Sequence, residues 1–172
     1  MEYLTLSTNL FGGKIMKFAI GISIICCFCY IGFTIRSQLS ERHKFYKDVL
    51  NLINQFMVNL NFYKNSVEDF LENYKTDSEL KKIIEYYISS KFKGEEALLN
   101  VKYITKEEVN MVLNCFNQLG GTDSENQETL LKGFENDVLN LCNETKEELS
   151  KYGTMAFKLS AIVGLLTVIL LI

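Results

Sequence analysis

Eighteen consecutive residues without a charge, Phe18 to Ile35, are bounded by Lys17 and Arg36, and they constrain this chain more than any motif in it. As a helix the run extends about 27 Å, close to the hydrocarbon thickness of a bilayer. A cleaved signal peptide is the competing reading, because Lys14 and Lys17 precede the run. However, the run exceeds a usual signal core, no A-x-A-like site follows it, and no small residue precedes Cys26, Cys27 or Cys29 as a lipoprotein signal requires. The sequence therefore predicts a short tail over 1–17 and an uncleaved membrane helix over 18–35.

A second apolar stretch, Leu159 to Ile172, covers only about 21 Å by itself. Extended back to Tyr152 it holds a single charge, Lys158, whose long stem can carry its ammonium to the headgroups. This predicts a membrane helix over 152–172, with 36–151 as a domain between the two crossings. Arg36, Arg42, Lys44 and Lys47 flank the first helix on the domain side against Lys14 and Lys17 on the other, and Lys146 and Lys151 precede the second. By the lysine and arginine bias the domain is expected in the cytoplasm. Lys17, Arg36, Arg42, Lys44 and Lys158 are the expected membrane-flanking cations, and His43 is expected among the headgroups or in solvent.

Proline is absent from all 172 residues, which favours long helices over strands and turns. Apolar residues at 48% against 23% charged exceed what a water-soluble bundle needs, and the excess sits in the two terminal stretches. Between them the apolar spacing is helical throughout. Tyr46, Val49, Ile53, Phe56, Leu60 and Tyr63 form one stripe, widened by Leu50 and Met57. Asn65 with Glu68 looks like the start of a helix carrying Val67, Phe70 and Leu71, and Thr76-Asp77-Ser78 like the start of one carrying Leu80, Ile83, Ile84 and Tyr87, ended by Lys93-Gly94. Thr105-Lys106-Glu107-Glu108 is a capping box ahead of Val109, Val112, Leu113, Phe116 and Leu119, and Gly120-Gly121 stops that helix. Thr122 with Glu125, or Ser124 with Gln127, opens a last helix with Leu131, Phe134, Val138, Leu141, Thr145 and Leu149, running unbroken into the terminal apolar stretch. The expected fold is all-α: an antiparallel helical bundle of about five or six helices, flanked by an N-terminal and a C-terminal membrane helix.

Candidates for chemistry are few. Gly12-Gly13-Lys14 lacks phosphate-loop spacing, and the one histidine cannot supply a His-pair metal site. Cys26, Cys27 and Cys29 are expected to pack within the first apolar run, and Cys115 and Cys142 in the core. No catalytic residue, cofactor or metal is expected. Charge is more informative: Arg36 to Lys47 holds four cations against Glu41, whereas Asp123 to Glu148 holds eight carboxylates against two lysines. The first suits an anionic lipid leaflet and the second a basic partner or plain solvation. No basic stripe lies away from the membrane, so a nucleic-acid partner is not expected.

The order of elements, Leu119-Gly120-Gly121-Thr122-Asp123 followed by Gln127, and the terminal Gly164-Leu165-Leu166-Thr167-Val168-Ile169-Leu170-Leu171 resemble the stage III sporulation protein AB family. Asn59 to Val67 looks like a degenerate form of that family's Tyr-Gly-x-Thr-Pro-Leu helix junction, with Ser66 in place of the proline. The resemblance implies a helical domain similar to the platform proteins of type II secretion and type IV pilus systems. It further implies a place in a sporulation envelope complex linking mother cell and forespore, with a secretion-type ATPase and ring-forming membrane proteins as partners and the domain on the mother-cell side. Self-association is left open.

The leading expectation is a non-enzymatic membrane platform whose bundle binds the ATPase through Gly120, Thr122, Asp123 and Gln127, a polar turn away from the apolar stripes. The same residues have a purely structural reading, as the stop of one helix and the cap of the next. The alternative function is a membrane-anchored sensor or adaptor bundle unrelated to sporulation, which as a receptor would need an output domain and a bundle outside the cell. An integral membrane enzyme would need more polar residues in the apolar segments than Ser23, Thr34, Ser160, Thr167 and Lys158.

Overall fold

With no proline to interrupt it, the first helix is very long: α1 runs Glu2–Val58. The computed structural model describes the backbone of residues 2–63, 66–90, 101–119 and 124–171, and among these residues the protein is all-α. A π-helical turn, Asn59–Tyr63, ends α1. Then follow α2 (Val67–Asn73), α3 (Leu80–Ser89), α4 (Lys106–Gln118), α5 (Ser124–Glu148), a second π-helical turn (Leu149–Gly153) and α6 (Thr154–Leu171). The chain divides into two compact units, Met1–Gln38 with Glu148–Ile172, and Leu39–Glu147.

The first unit pairs the start of α1 with α6. Gly21 lies against Val168, Gly164 against Phe28 and Ile25, and Gly32 against Phe157 and Ser160, a register that runs antiparallel. A Cβ on Gly32 would stand 2.9 Å from Ser160 Oγ and 3.0 Å from Phe157 Cα, so this close approach requires glycine. Large apolar side chains such as Ile22, Phe33, Leu165 and Ile169 point outward instead of into a core. Thr34, Ser160 and Thr167 donate their hydroxyl protons to the carbonyls of Tyr30, Ala156 and Val163 at 2.7–2.9 Å, so none presents an unmet donor to an apolar surrounding. Cys26 and Cys27 are exposed, contrary to the expected packing, because Gly21, Ile25, Phe28 and Gly32 take the paired face.

The second unit inverts this pattern. Its core gathers Phe45, Tyr46, Val49, Ile53 and Phe56 of α1, Leu71 of α2, and Leu80, Ile83 and Tyr87 of α3 with Val109, Val112 and Phe116 of α4 and Leu131 and Val138 of α5. Each such burial contributes about 1.5–3 kcal/mol. The Tyr87 hydroxyl donates to the Phe116 carbonyl at 3.1 Å, satisfying an acceptor that the last turn of α4 leaves open, and the two rings lie 5.3 Å apart. The capping box of α4 forms as spaced: Thr105 Oγ1 accepts from the Glu108 N–H, and a Glu108 oxygen accepts from the Thr105 N–H at 2.7 Å.

Three local expectations need correction. Ser66, not Asn65, is the N-cap of α2, accepting from the Asp69 N–H at 3.1 Å; Asn65 lies outside the described residues. Thr76 does not cap α3, whose N-cap position is Glu79; its hydroxyl instead donates to Asp48 and ties the α2–α3 connection to α1. Tyr63 is 71% exposed, because the wider π turn carries it off the stripe and turns Asn59, 3% exposed, inward. As expected, α5 runs into α6 without a break, through the π turn Leu149–Gly153. Lys93-Gly94 and Gly120-Gly121 lie outside the described residues.

Candidate functional site

A polar node joins α1 and α4 in the second unit. Arg42 Nη2 on α1 donates to Glu108 Oε1 on α4 at 2.5 Å, and the same carboxylate serves the capping box. Burial alone would raise the Glu108 carboxyl, but Tyr46, the Thr105 N–H and the Arg42 guanidinium outweigh it and hold the group below its ordinary value. The Tyr46 phenol goes the other way: burial, then the neighbouring Glu108 charge, pushes it well above the ordinary tyrosine value. Arg42, expected as a free membrane-flanking cation, is therefore engaged within the bundle. Arg36, Lys44 and Lys158 are exposed, and the Lys17 side chain lies outside those described.

His43, expected in solvent or among headgroups, is half-buried, with Nδ1 3.3 Å from Thr145 Oγ1 and 4.0 Å from Cys142 Sγ. The Thr145 hydroxyl has one proton and lies 2.8 Å from the Leu141 carbonyl and 3.1 Å from that of Cys142. Having donated to a carbonyl, it can only accept from His43, so Nδ1 carries the proton. With the proton on Nδ1, that nitrogen cannot take the proton of Cys142. Burial pushes the Cys115 thiol up to about 12, also unsuited to nucleophilic work. Among the described residues no cluster of three metal-ligating side chains occurs.

Of the residues expected to meet a partner, Gly120, Thr122 and Asp123 lie outside the described residues. Gln127 is 8% exposed and held within the bundle. Beside it the α4–α5 pair forms an open groove of about 360 Å³. Met111 and Cys115 of α4, its C-cap Leu119, and Leu130 and Phe134 of α5 make its apolar floor, and Glu107, Asn110, Asn114 and Gln118 its α4 rim. Helical spacing from the capping box onward places these rim residues on one side of α4. A second groove of about 500 Å³ lies where the π turn meets α2, lined by Asn54, Gln55, Val58, Asn59, Tyr63 and Phe70. Next to it Phe62 is 78% exposed. Neither the groove nor the outward aromatics were legible in the apolar spacing, since a π turn leaves no periodic signal.

A sequence model of the family described as stage III sporulation protein AB matches residues 17–172. The chain belongs to the stage III sporulation protein AB family. The match takes in both apolar helices and the whole of the second unit. No curated protein and no solved structure matches the chain. In this family member the described residues form two open grooves on the second unit.

Proposed function

We propose that this stage III sporulation protein is a non-enzymatic, membrane-anchored platform of a secretion-like envelope complex between mother cell and forespore. The paired helices of the first unit cross the membrane, and the second unit lies in the cytoplasm on the mother-cell side, where it couples a secretion-type ATPase to membrane and ring components. The observation that carries the anchor is the inversion of packing between the units. Two helices long and apolar enough to cross a membrane carry their large side chains outward, whereas helices of the second unit bury theirs. A helix from a water-soluble core would be mostly buried. The excess of lysine and arginine on the domain side supports the cytoplasmic placement.

Deletion of the chain in a spore former tests this reading. Growth should be unaffected and sporulation should stop after engulfment. Normal spores from the deletion strain, or turnover of a substrate by the purified protein alone, would overturn it.

A further inference from the structure

We propose that the α4–α5 groove docks a basic amphipathic helix of about three turns supplied by a partner protein. The floor is apolar and open, with Leu130 39% exposed at its edge. Its α4 wall runs from Glu107 to Gln118, about 17 Å at helical rise, which sets the length of the occupant. Leu and similar side chains at i, i+3, i+4 and i+7 of such a helix would cover the floor.

Charge selects the other face of the occupant. Between Asn126 and Glu147, α5 carries five carboxylates against Lys132 and Lys146, and Lys132 is engaged by Glu128 at 2.7 Å. Asp137 is exposed and lies seven residues beyond Leu130, on the same side of α5 and past Phe134. Glu107 closes that end of the groove from the α4 side. An occupant with lysines or arginines flanking its apolar stripe meets complementary charge there, and an acidic one is repelled. Asn114 and Gln118, both exposed on the rim, can donate to and accept from its polar edge. The identity of the protein that carries this helix rests on the platform reading; the chemistry of the helix does not.

The test uses the full chain in nanodiscs of uncharged zwitterionic lipid, with empty nanodiscs subtracted. The probes are a Leu/Lys amphipathic helical peptide, its Leu/Glu counterpart and the purified secretion-type ATPase of the same complex. The Leu/Lys peptide should bind at least about tenfold more tightly than the Leu/Glu peptide, and Leu130→Lys or Asp137→Lys should each weaken it about tenfold. Both positions are exposed, so melting should be unchanged. Equal binding of the two peptides, or Leu/Lys binding untouched by both variants, overturns the groove assignment. So does a dimer of the wild-type chain dissolved by Leu130→Lys, because the groove would then belong to a second copy. ATPase binding that survives both variants, without peptide preference, removes the groove and leaves the platform. Peptide preference without any ATPase binding does the reverse.

Discussion

Arg42 Nη2 lies 2.5 Å from Glu108 Oε1 and joins α1 to α4 across 66 residues of chain. The pair is mostly withdrawn from water, with side-chain exposures of 31% and 11%. Truncating the cation strands a carboxylate beside the Tyr46 ring, so Arg42→Met should destabilise the second unit by about 2 kcal/mol, less than a fully buried pair would lose. Pairing Arg42→Met with Glu108→Leu should recover most of that loss.

The same carboxyl sets an acid limit. Because its folded value lies below the ordinary 4.5, its contribution is fully present above 4.5 and is lost as pH falls through the lower folded value. Stability of the full chain in micelles, measured by urea unfolding followed by near-ultraviolet circular dichroism, should fall as pH drops below about 4.5. Glu108→Gln should flatten that dependence.

Two glycines should respond in opposite ways. At Gly32 a side chain meets Phe157 backbone at 3.0 Å, so Gly32→Leu should loosen the pairing of α1 with α6 by about 1–3 kcal/mol, read as lost disulfide trapping between cysteines placed at 28 and 164. At Gly133, inside α5, an added Cβ meets nothing within 4 Å. Gly133→Ala should therefore stabilise α5 by about 0.5–1 kcal/mol in the same unfolding assay.

Thr145 dictates the tautomer of His43. Nitrogen NMR of the neutral imidazole should show the proton on Nδ1. Thr145→Val should abolish that preference, and a proton found on Nε2 in the parent protein would contradict the hydrogen-bond assignment.

Much of the second unit was legible because its signals are local. Val109, Val112, Leu113 and Phe116 repeat at helical spacing behind a Thr105–Glu108 box, and all four are core residues. Leu131, Val138 and Thr145 likewise mark the buried side of α5. What was not legible depends on choices between similar residues or on distant partners. Asn65 and Ser66 are both good caps, and only the geometry of the chain selects Ser66. Counting charges near the membrane finds Arg42 and His43 but not Glu108 and Thr145, which approach them only in the folded bundle. The α4–α5 groove needs two helices side by side, so neither stripe alone discloses it, although the excess of carboxylates on α5 was visible from the start.

The central claim, that one unit anchors and the other docks a motor, is tested most directly by purifying the full chain from membranes of sporulating cells and quantifying the secretion-type ATPase that accompanies it. Stoichiometric recovery of the ATPase is expected with the intact chain, and none with a variant retaining the apolar helices but lacking Leu39–Glu147. Purification of the intact, folded chain without the ATPase, under conditions that keep the envelope complex together, would contradict it.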